Sequence, residues 1–447
     1  MSSANYYDGL NEKLFKLIPR SARKVLELGC ANGQLGRAFK AQNPCVHWSG
    51  VDISTEALAH ATQHLDAVFH TDLNQTRIQD AVKERAFDTI VIGDLLEHLI
   101  HPEKVLTDLL DISTGDVTLV CCIPNMTHFS VIQRLLTGDM SYDAHGLLDK
   151  THLRFFSPAS SCKMFLDSGW LPDMQDSYTT AQADTRTLQG LLHVTTAMAI
   201  PPETAFEKLH LYQMVFKCQK RNDVATHDTP TEKFKISVVV PVNREWEADL
   251  NIARSPGLQE LDAQMIVIRD ARSAAHAFEL GKQQSQHDWI LFLHQDVYIP
   301  KYAGTALAKT LRALQAQTAT PSVLGFAGIG VQAGGQLHHA GLVVDRKTLF
   351  CHPPTDHAIS IDELAIVMHK NGKLQLDASL GWHTWATDLC LQAHLDASVD
   401  HARIVNIPLF HNSTNNYKLP DAYHASAKIL KNKYPQIPSI KTLCGDI

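Results

Sequence analysis

The stretch Lys24–Gly36, KVLELGCANGQLG, decides how the first half of the chain is read. KVLEL is a short apolar run suited to a buried strand, and a helix is expected to begin near Gln34. Gly29 and Gly33 fall between them, where the backbone must turn tightly and approach a ligand closely, a task for residues without Cβ. In sheets covered on both faces, ligands bind outside the carboxyl ends of the strands. Asp52, in GVDIS, closes the next apolar run (His47–Ile53) and follows Gly33 by 19 residues. That is near the ~20 residues expected of a carboxylate that bonds ribose hydroxyls. Ala31 stands where the second glycine of a G-x-G-x-x-G loop would be, which favours a ligand without phosphates.

Outward from this loop, apolar runs recur at Phe87–Gly93 (FDTIVIG), Val117–Ile123 (VTLVCCI) and Leu209–Cys218 (LHLYQMVFKC). They alternate with segments of helical pattern such as Glu97–Leu110. Short strands alternating with helices predict an α/β fold with a mainly parallel sheet. Lys220–Phe234, KRNDVATHDTPTEKF, is polar, lacks apolar periodicity and reads as a linker. A second series follows at Ile236–Val240, Met265–Ile268 and Trp289–Leu293. No internal repeat joins the halves, so the expected organisation is two different domains, 1–219 and 235–447, with a linker at 220–234.

Composition narrows the classes. Of 447 residues, 45% are hydrophobic and 19% charged, the balance of a globular chain and not of a disordered one. A net charge of −7 gives no electrostatic footprint for nucleic acid. No apolar run reaches the ~18–20 residues that span a bilayer, and the opening MSSANYYDGLNEKLFKLIPR lacks the layout of a secretory signal. Nine cysteines form no CxxC, which suits free thiols in a reducing compartment. The expected location is cytoplasmic, with peripheral association at a membrane left open. The 25 histidines are scattered without an HExxH, against a structural zinc.

Taken in order, ELGCANG, GVDIS, HTDLN and FDTIVIGDLLEHL resemble the class I S-adenosylmethionine-dependent methyltransferases over about the first 220 residues. The resemblance implies a Rossmann-like seven-stranded sheet. It implies that Glu27, Gly29, Cys30 and Gly33 line the methionine part of the cofactor, with Asp52 on the ribose. Asp72 and Leu73 would lie near the adenine, and Gly93, Asp94 and Leu95 beside the sulfonium. Pro124–Ser157 is similar to a subgroup found with surface-glycan biosynthesis enzymes. Methyl transfer to a hydroxyl needs a group that takes its proton. His98, after the fourth strand, and His152, in THLRFF, are the candidates, with Arg154 as an acceptor anchor. The alternative for His98 is a residue that merely holds a loop. A dehydrogenase is disfavoured by ELGCANG.

The second half resembles a GT-A glycosyltransferase of the family-2 type over roughly residues 235–415. The pieces are ISVVVPV, RSAAHAFELG, WILFLHQDVYIP, GWHTWATDLCLQA and PLFHNST, in a branch that carries HQDV where relatives have Asp-x-Asp. This implies Asp270 near the nucleobase or ribose, and Asp296 on a Mg²⁺ or Mn²⁺ ion bridging a sugar diphosphate. It also implies His411 as a further metal ligand and Asp388 as the general base, with His383 close by. Departures are His294 for the first Asp of the metal motif and Glu279 for the usual asparagine. Trp382 and Trp385 either stack on a sugar or pack in the core. The expected function is a bifunctional enzyme of glycan assembly using a nucleotide-sugar donor and a glycan or glycoconjugate acceptor. The alternative keeps the methyltransferase and makes the second half a non-catalytic glycan-binding module.

Overall fold

The order of strands around the glycine loop fixes the first half. In the computed structural model, residues 10–179, 185–224, 233–316, 323–332, 334–414 and 418–447 are described. The chain divides into two units, Met1–Asn222 and Asp223–Ile447. The first holds β1 (Lys24–Leu28), β2 (His47–Asp52), β3 (Ala67–His70), β4 (Phe87–Gly93), β5 (Ser113–Pro124), β6 (Trp170–Thr179) and β7 (Leu211–Lys220). They form one sheet in the order β3-β2-β1-β4-β5-β7-β6, with β7 antiparallel to both its neighbours. This is the seven-stranded Rossmann-like sheet expected from the sequence. In its parallel part Leu28 pairs with Val51 on one side and Ile92 on the other. The carboxyl ends of β1, β2 and β4 therefore open on one edge, which brings the glycine loop, Asp52 and Gly93 together.

Packing holds that edge in place. Trp48 on β2 is fully buried and lies 5.4 Å from Phe39 of the helix Gln34–Gln42. Gly36 on that helix permits the approach, because a Cβ there would stand 2.4 Å from Leu65 and 2.8 Å from Trp48.

The expected helix Glu97–Leu110 is corrected. A single 3₁₀ turn covers Leu96–His98, and the α-helix starts only at Pro102 and runs to Ile112. Proline fits the first helical position, and its ring pushes the preceding residue, His101, out of the helical region. Glu97 and His98 thus stand on a turn beyond β4. The first unit also takes three residues expected in the linker, Lys220–Asn222. Lys220 ends β7, and Arg221 is buried with its N–H on the Gly169 carbonyl at 2.9 Å. Residues 225–232 of that stretch lie outside the described residues.

The second unit contains two six-stranded sheets and a small two-stranded one, Lys441–Thr442 with Gly445–Asp446. Its strands are β8 (Lys235–Pro241), β9 (Asp262–Ile268), β10 (Trp289–Leu293), β11 (Val297–Tyr298), β12 (Leu324–Gly325), β13 (Ala327–Val331), β14 (Leu337–Asp345), β15 (Thr348–His352), β16 (Ala358–Ile361), β17 (Ala365–His369), β18 (Arg403–Ile404) and β19 (Leu409–His411). One sheet runs β18-β12-β17-β10-β8-β9, and the other runs β11-β19-β14-β13-β16 with β15 on β14. β9, β8 and β10 are parallel, and all five residues of β10 are buried. Gly281, on the helix Ala274–Gln284, leaves room for Val239 of β8, which a Cβ would meet at 2.4 Å. His294–Asp296 follows β10 directly and leads into β11 of the other sheet.

All nine cysteines are free thiols. Among the described residues no helix is long and apolar enough to cross a membrane.

Candidate functional site

In the first unit the glycine loop is held before any ligand arrives. Gly29, Ala31 and Gly33 have φ of 73°, 46° and 73°, the left-handed region that glycine enters without strain. The N–H groups of Gly29 and Cys30 both donate to the Val51 carbonyl, at 2.8 and 3.1 Å. Asp52 ties the loop further. One carboxylate oxygen accepts the Ala31 N–H at 2.8 Å and the other accepts the Ser54 N–H at 2.8 Å. A carboxylate has about four acceptor sites, so each oxygen keeps capacity for a ligand hydroxyl. The cap of the following helix is Ser54, not Asp52.

Two residues expected to line the loop face elsewhere. The Glu27 carboxyl accepts the Trp48 indole N–H at 2.8 Å inside the core. Burial pushes its pKa up to about 8, against the lowering effect of that bond and with the Asp52 charge adding to the rise. The Cys30 side chain is a packing residue: its Sγ lies 2.6 Å from where a Gly50 Cβ would stand, on the core side, so only its backbone is left to line a ligand. Burial, then the Glu27 and Asp52 charges, push the thiol up and leave it inert. Asp72 and Leu73 follow β3, where Asp72 accepts the Asn74 N–H at 2.9 Å. The Asn74 side chain bonds the Ile100 N–H at 2.7 Å, tying this loop to the one after β4.

Beyond Gly93 and Leu95, the loop after β4 gathers the titratable groups. Asp94 has φ 48° and accepts from the Gln213 side chain at 2.6 Å. Burial raises its carboxyl to about 6. Glu97 is 1% exposed, with one oxygen lacking any hydrogen-bond partner, and its pKa is driven well above the usual range by burial and then by the Asp94 charge. The Glu97 carbonyl accepts the N–H groups of Leu153 and Arg154 at 2.7 and 3.0 Å, which brings His152 to His98. The two rings stand edge to face at 4.9 Å. Glu97, His98 and His152 each offer a donor atom within 4.8 Å of the others. His98 Nδ1 meets the Thr151 carbonyl at 3.1 Å and His152 Nδ1 the Leu147 carbonyl at 3.0 Å. A neutral ring must place its proton on the nitrogen facing a carbonyl, so both Nε2 atoms are left as acceptors. Arg154 is exposed and donates to the Ile100 carbonyl, at 3.0 Å through Nε, which uses part of its five-donor fork.

A family model described as a methyltransferase domain matches residues 4–171. The first unit is a methyltransferase domain. Ubiquinone biosynthesis O-methyltransferase of Xylella fastidiosa (strain 9a5c) is 30% identical over 94 residues, covering 20% of this chain and 37% of the relative. The corresponding protein of Vibrio atlanticus (strain LGP32) is 31% identical over 101 residues, 22% of this chain and 42% of its own length. The chain thus spans about two fifths of these relatives. Among solved structures, a SAM dependent methyltransferase from Archaeoglobus fulgidus aligns with 48% of this chain and 97% of its own, at 18% identity and TM-score 0.35. In the methyltransferase domain, Glu97 is the residue that sequence reasoning missed. EHL places it beside His98, but its burial depends on the backbone of residues 153 and 154, distant in sequence.

In the second unit a cleft of about 420 Å³ is lined by Arg244, Asp270, His294, Gln295, Asp296 and Trp382, among others. Asp270, two residues beyond β9, has φ 59° and is exposed to the cleft. Asp296 is buried, 3.5 Å from His411 Nε2, while His411 Nδ1 meets Asp345 at 2.8 Å. Burial alone would raise Asp296, but the His411 charge and hydrogen bond, with His294, hold it well below the usual range. Burial alone would lower His411, but Asp296 and Asp345 carry it well above its ordinary value. His294, Asp296 and His411 each offer a donor atom within 4.8 Å of the others. Nitrogen and carboxylate donors converging beside a cleft fit a divalent cation.

The expectation that Asp388 is a general base is corrected. It lies on the helix Trp385–Leu395, is 0% exposed, and its carboxylate is occupied by Tyr434 Oη (2.7 Å), Lys433 Nζ (2.9 Å) and Gln392 Nε2 (2.7 Å). A carboxylate so enclosed cannot reach an acceptor hydroxyl. Trp385 is fully buried against Phe292 at 5.4 Å, so it packs the core, whereas Trp382 lines the cleft. The half-buried His383 follows Trp382 on the turn before this helix.

Proposed function

We propose that the protein transfers the methyl group of S-adenosylmethionine to a hydroxyl, on a sugar, and that its second unit takes a nucleotide sugar and transfers the glycosyl group. On this reading the chain serves the assembly of a surface polysaccharide or glycoconjugate. The observation that carries the first part is the Glu97–His98–His152 cluster, standing after β4 on the same sheet edge as a glycine loop tied to Asp52. The likeness to relatives named O-methyltransferases favours oxygen as the acceptor.

S-adenosylmethionine, when bound, supplies an electrophilic methyl group. Gly29 and Gly33 admit its methionine part, and Asp52 accepts the ribose hydroxyls on lone pairs that its two backbone bonds leave free. Asp72 and Leu73 flank the adenine, and Asp94 faces the sulfonium. His98 or His152 takes the acceptor proton on Nε2, and the carbonyl on Nδ1 keeps the ring in that tautomer. The buried acid Glu97 adds no net charge while protonated, so it does not hold the histidines as imidazoliums. Calorimetric titration of S-adenosylmethionine, followed by transfer assays on sugar hydroxyls, tests the reading. Absence of cofactor binding overturns it.

For the second unit, Asp296 and His411 would hold a divalent ion against a diphosphate, and Asp270 would meet the nucleobase or ribose. The ion would neutralise charge on the departing phosphates. The enclosure of Asp388 favours the rival reading, a glycan-binding module without transfer. Metal-dependent release of nucleoside diphosphate from a panel of sugar nucleotides supports transfer. Retained glycan binding without such release supports the module.

A further inference from the structure

The second unit has another concave site, at the amino-terminal end of the strands whose carboxyl ends form the cleft. It holds about 310 Å³ and is lined by Lys233, Lys235, His287, Asp288, Trp289 and Arg312, among others. Lys235 opens β8 and Trp289 opens β10, whereas the cleft is lined by Val242 and His294, just past the other ends of the same strands. At ~3.3 Å per residue the length of β8 puts ~20 Å between the two sites. Arg312 comes from the last turn of the helix Ala303–Gln315 and stands over the Phe234 ring, 5.7 Å from its centre. Main-chain bonds fix the rim: the Phe234 carbonyl accepts the Asp262 N–H at 2.9 Å, and the Asp288 carbonyl accepts the Lys370 N–H at 2.6 Å.

Trp289 is 2% exposed, and its indole Nε1 has no hydrogen-bond partner. An indole N–H can only donate, so a buried one left unpaired calls for an acceptor. Its neighbours decide which kind. Lys233, Lys235 and Arg312 line the same site against the single carboxylate of Asp288, which selects an anion. Lys233 gives one of its three donors to the Gln259 carbonyl at 2.6 Å and keeps the others. We propose that this site binds a small phosphate-bearing anion, a phosphate monoester or a diphosphate, through Trp289 Nε1–H, Lys233 and Lys235, with Arg312 on its rim. A phosphate group presents acceptor oxygens in several directions and carries up to two charges, so it can meet donors that come from different strands at once. The volume exceeds that of the bare ion and leaves room for the group that carries it. No metal is needed here, because the charge is met by side chains.

The test uses the full chain in EDTA, so that no metal ion can hold a diphosphate in the cleft. Inorganic phosphate and pyrophosphate are titrated while the indole N–H resonances of the six tryptophans are followed by NMR. Sodium chloride at matched ionic strength is the control for screening. The expected result is a saturable displacement of one indole signal, the one that Trp289→Phe removes. By calorimetry, Lys235→Gln should weaken pyrophosphate by ~10-fold or more, and Trp289→Phe, which keeps the core filled, by ~5–10-fold. Lys235 is exposed, so its variant decides alone if Trp289→Phe melts early. Asp270→Ala, in the cleft, should leave pyrophosphate affinity unchanged. Co-sedimentation with vesicles containing phosphatidic acid, lost in Lys235→Gln, would assign the phosphate to a lipid headgroup, and titration without sedimentation assigns it to a soluble ligand. The inference is overturned if neither anion gives a saturable shift, if chloride moves the Trp289 signal equally, or if Lys235→Gln keeps wild-type affinity. Loss of pyrophosphate binding in Asp270→Ala would place the anion in the cleft and overturn it as well.

Discussion

Two clusters in this molecule have the same composition, two histidines and one acid, each just beyond the carboxyl end of a buried strand. Glu97 and His98 follow β4 and are joined by His152 from a later segment, while His294 and Asp296 follow β10 and are joined by His411, the last residue of β19. Their electrostatics are opposite. Glu97 is buried without a cation and its carboxyl is driven up, while Asp296 is buried against His411 and is driven down. The far nitrogens explain the difference in the rings. Backbone carbonyls face Nδ1 of His98 and His152, which leaves Nε2 of each neutral ring as the acceptor. A carboxylate, Asp345, holds Nδ1 of His411, which favours a positive ring or a ligated metal. Residue type does not assign such a cluster; the atom behind each histidine does.

The largest effect that could break this contrast is on methyl transfer. His98→Ala or His152→Ala, whichever removes the proton acceptor, should lower kcat by ~10²–10⁴-fold while the affinity for S-adenosylmethionine stays near wild type. Wild-type turnover in both variants on the true acceptor would reject the proton-acceptor assignment. A third buried acid supplies the next test, on stability. Asp388→Ala leaves the Tyr434 hydroxyl and the Gln392 amide without their acceptor, while Lys433 keeps Asp377 at 2.9 Å, and should cost about 1–3 kcal/mol in chemical denaturation, with a lower Tm. A variant that melts like wild type would show that the enclosure contributes nothing. Third, Asp52→Ala should weaken S-adenosylmethionine by about 1–3 kcal/mol by calorimetry, because ribose hydroxyls lose their acceptor.

The smallest effect sharpens the contrast most. If Glu97 works as a neutral acid, Glu97→Gln should keep turnover within about threefold, since an amide replaces a carboxylic acid without changing charge. Its pH profile should keep the wild-type shape. Burial lowers His152, so protonation of that ring sets in only as pH falls through a value below 6.5. Activity should be flat at neutral pH and drop on the acid side. A Glu97→Gln variant whose acid limb moves to markedly lower pH would show that Glu97 carries negative charge after all.

What could be read from sequence was local. KVLELGCANG and GVDIS announced the loop, its left-handed glycines and Asp52, because strand, turn and acid lie within one supersecondary unit. HQD announced a strand end with a carboxylate for the same reason. The rest depended on distant backbone. His98 and His152 are 54 residues apart and meet because the Glu97 carbonyl accepts two N–H groups from the second segment. Asp388 matched an expected pattern, yet Lys433 and Tyr434, 45 and 46 residues further on, enclose it. Asp345 belongs to no motif and reaches His411 only through the β14–β19 register. Pro102 is local too: it starts the helix and keeps His101 out of it, which leaves Glu97 and His98 on the turn before.

The place of β7 has a consequence for how the chain comes off the ribosome. The last strand of the first unit to be synthesised is not at the margin of its sheet but between β5 and β6. Until Lys220 has emerged, β5 shows an open edge and β6 has no neighbour, so the sheet exists only as a gapped intermediate with unpaired N–H and C=O groups. Closure is one late event, made by the ten residues Leu211–Lys220. A nascent chain halted with residue 210 outside the exit tunnel should be readily cut by protease, and one halted with residue 222 outside should resist. Equal resistance at both lengths would mean that the sheet gains its cooperativity without its last strand.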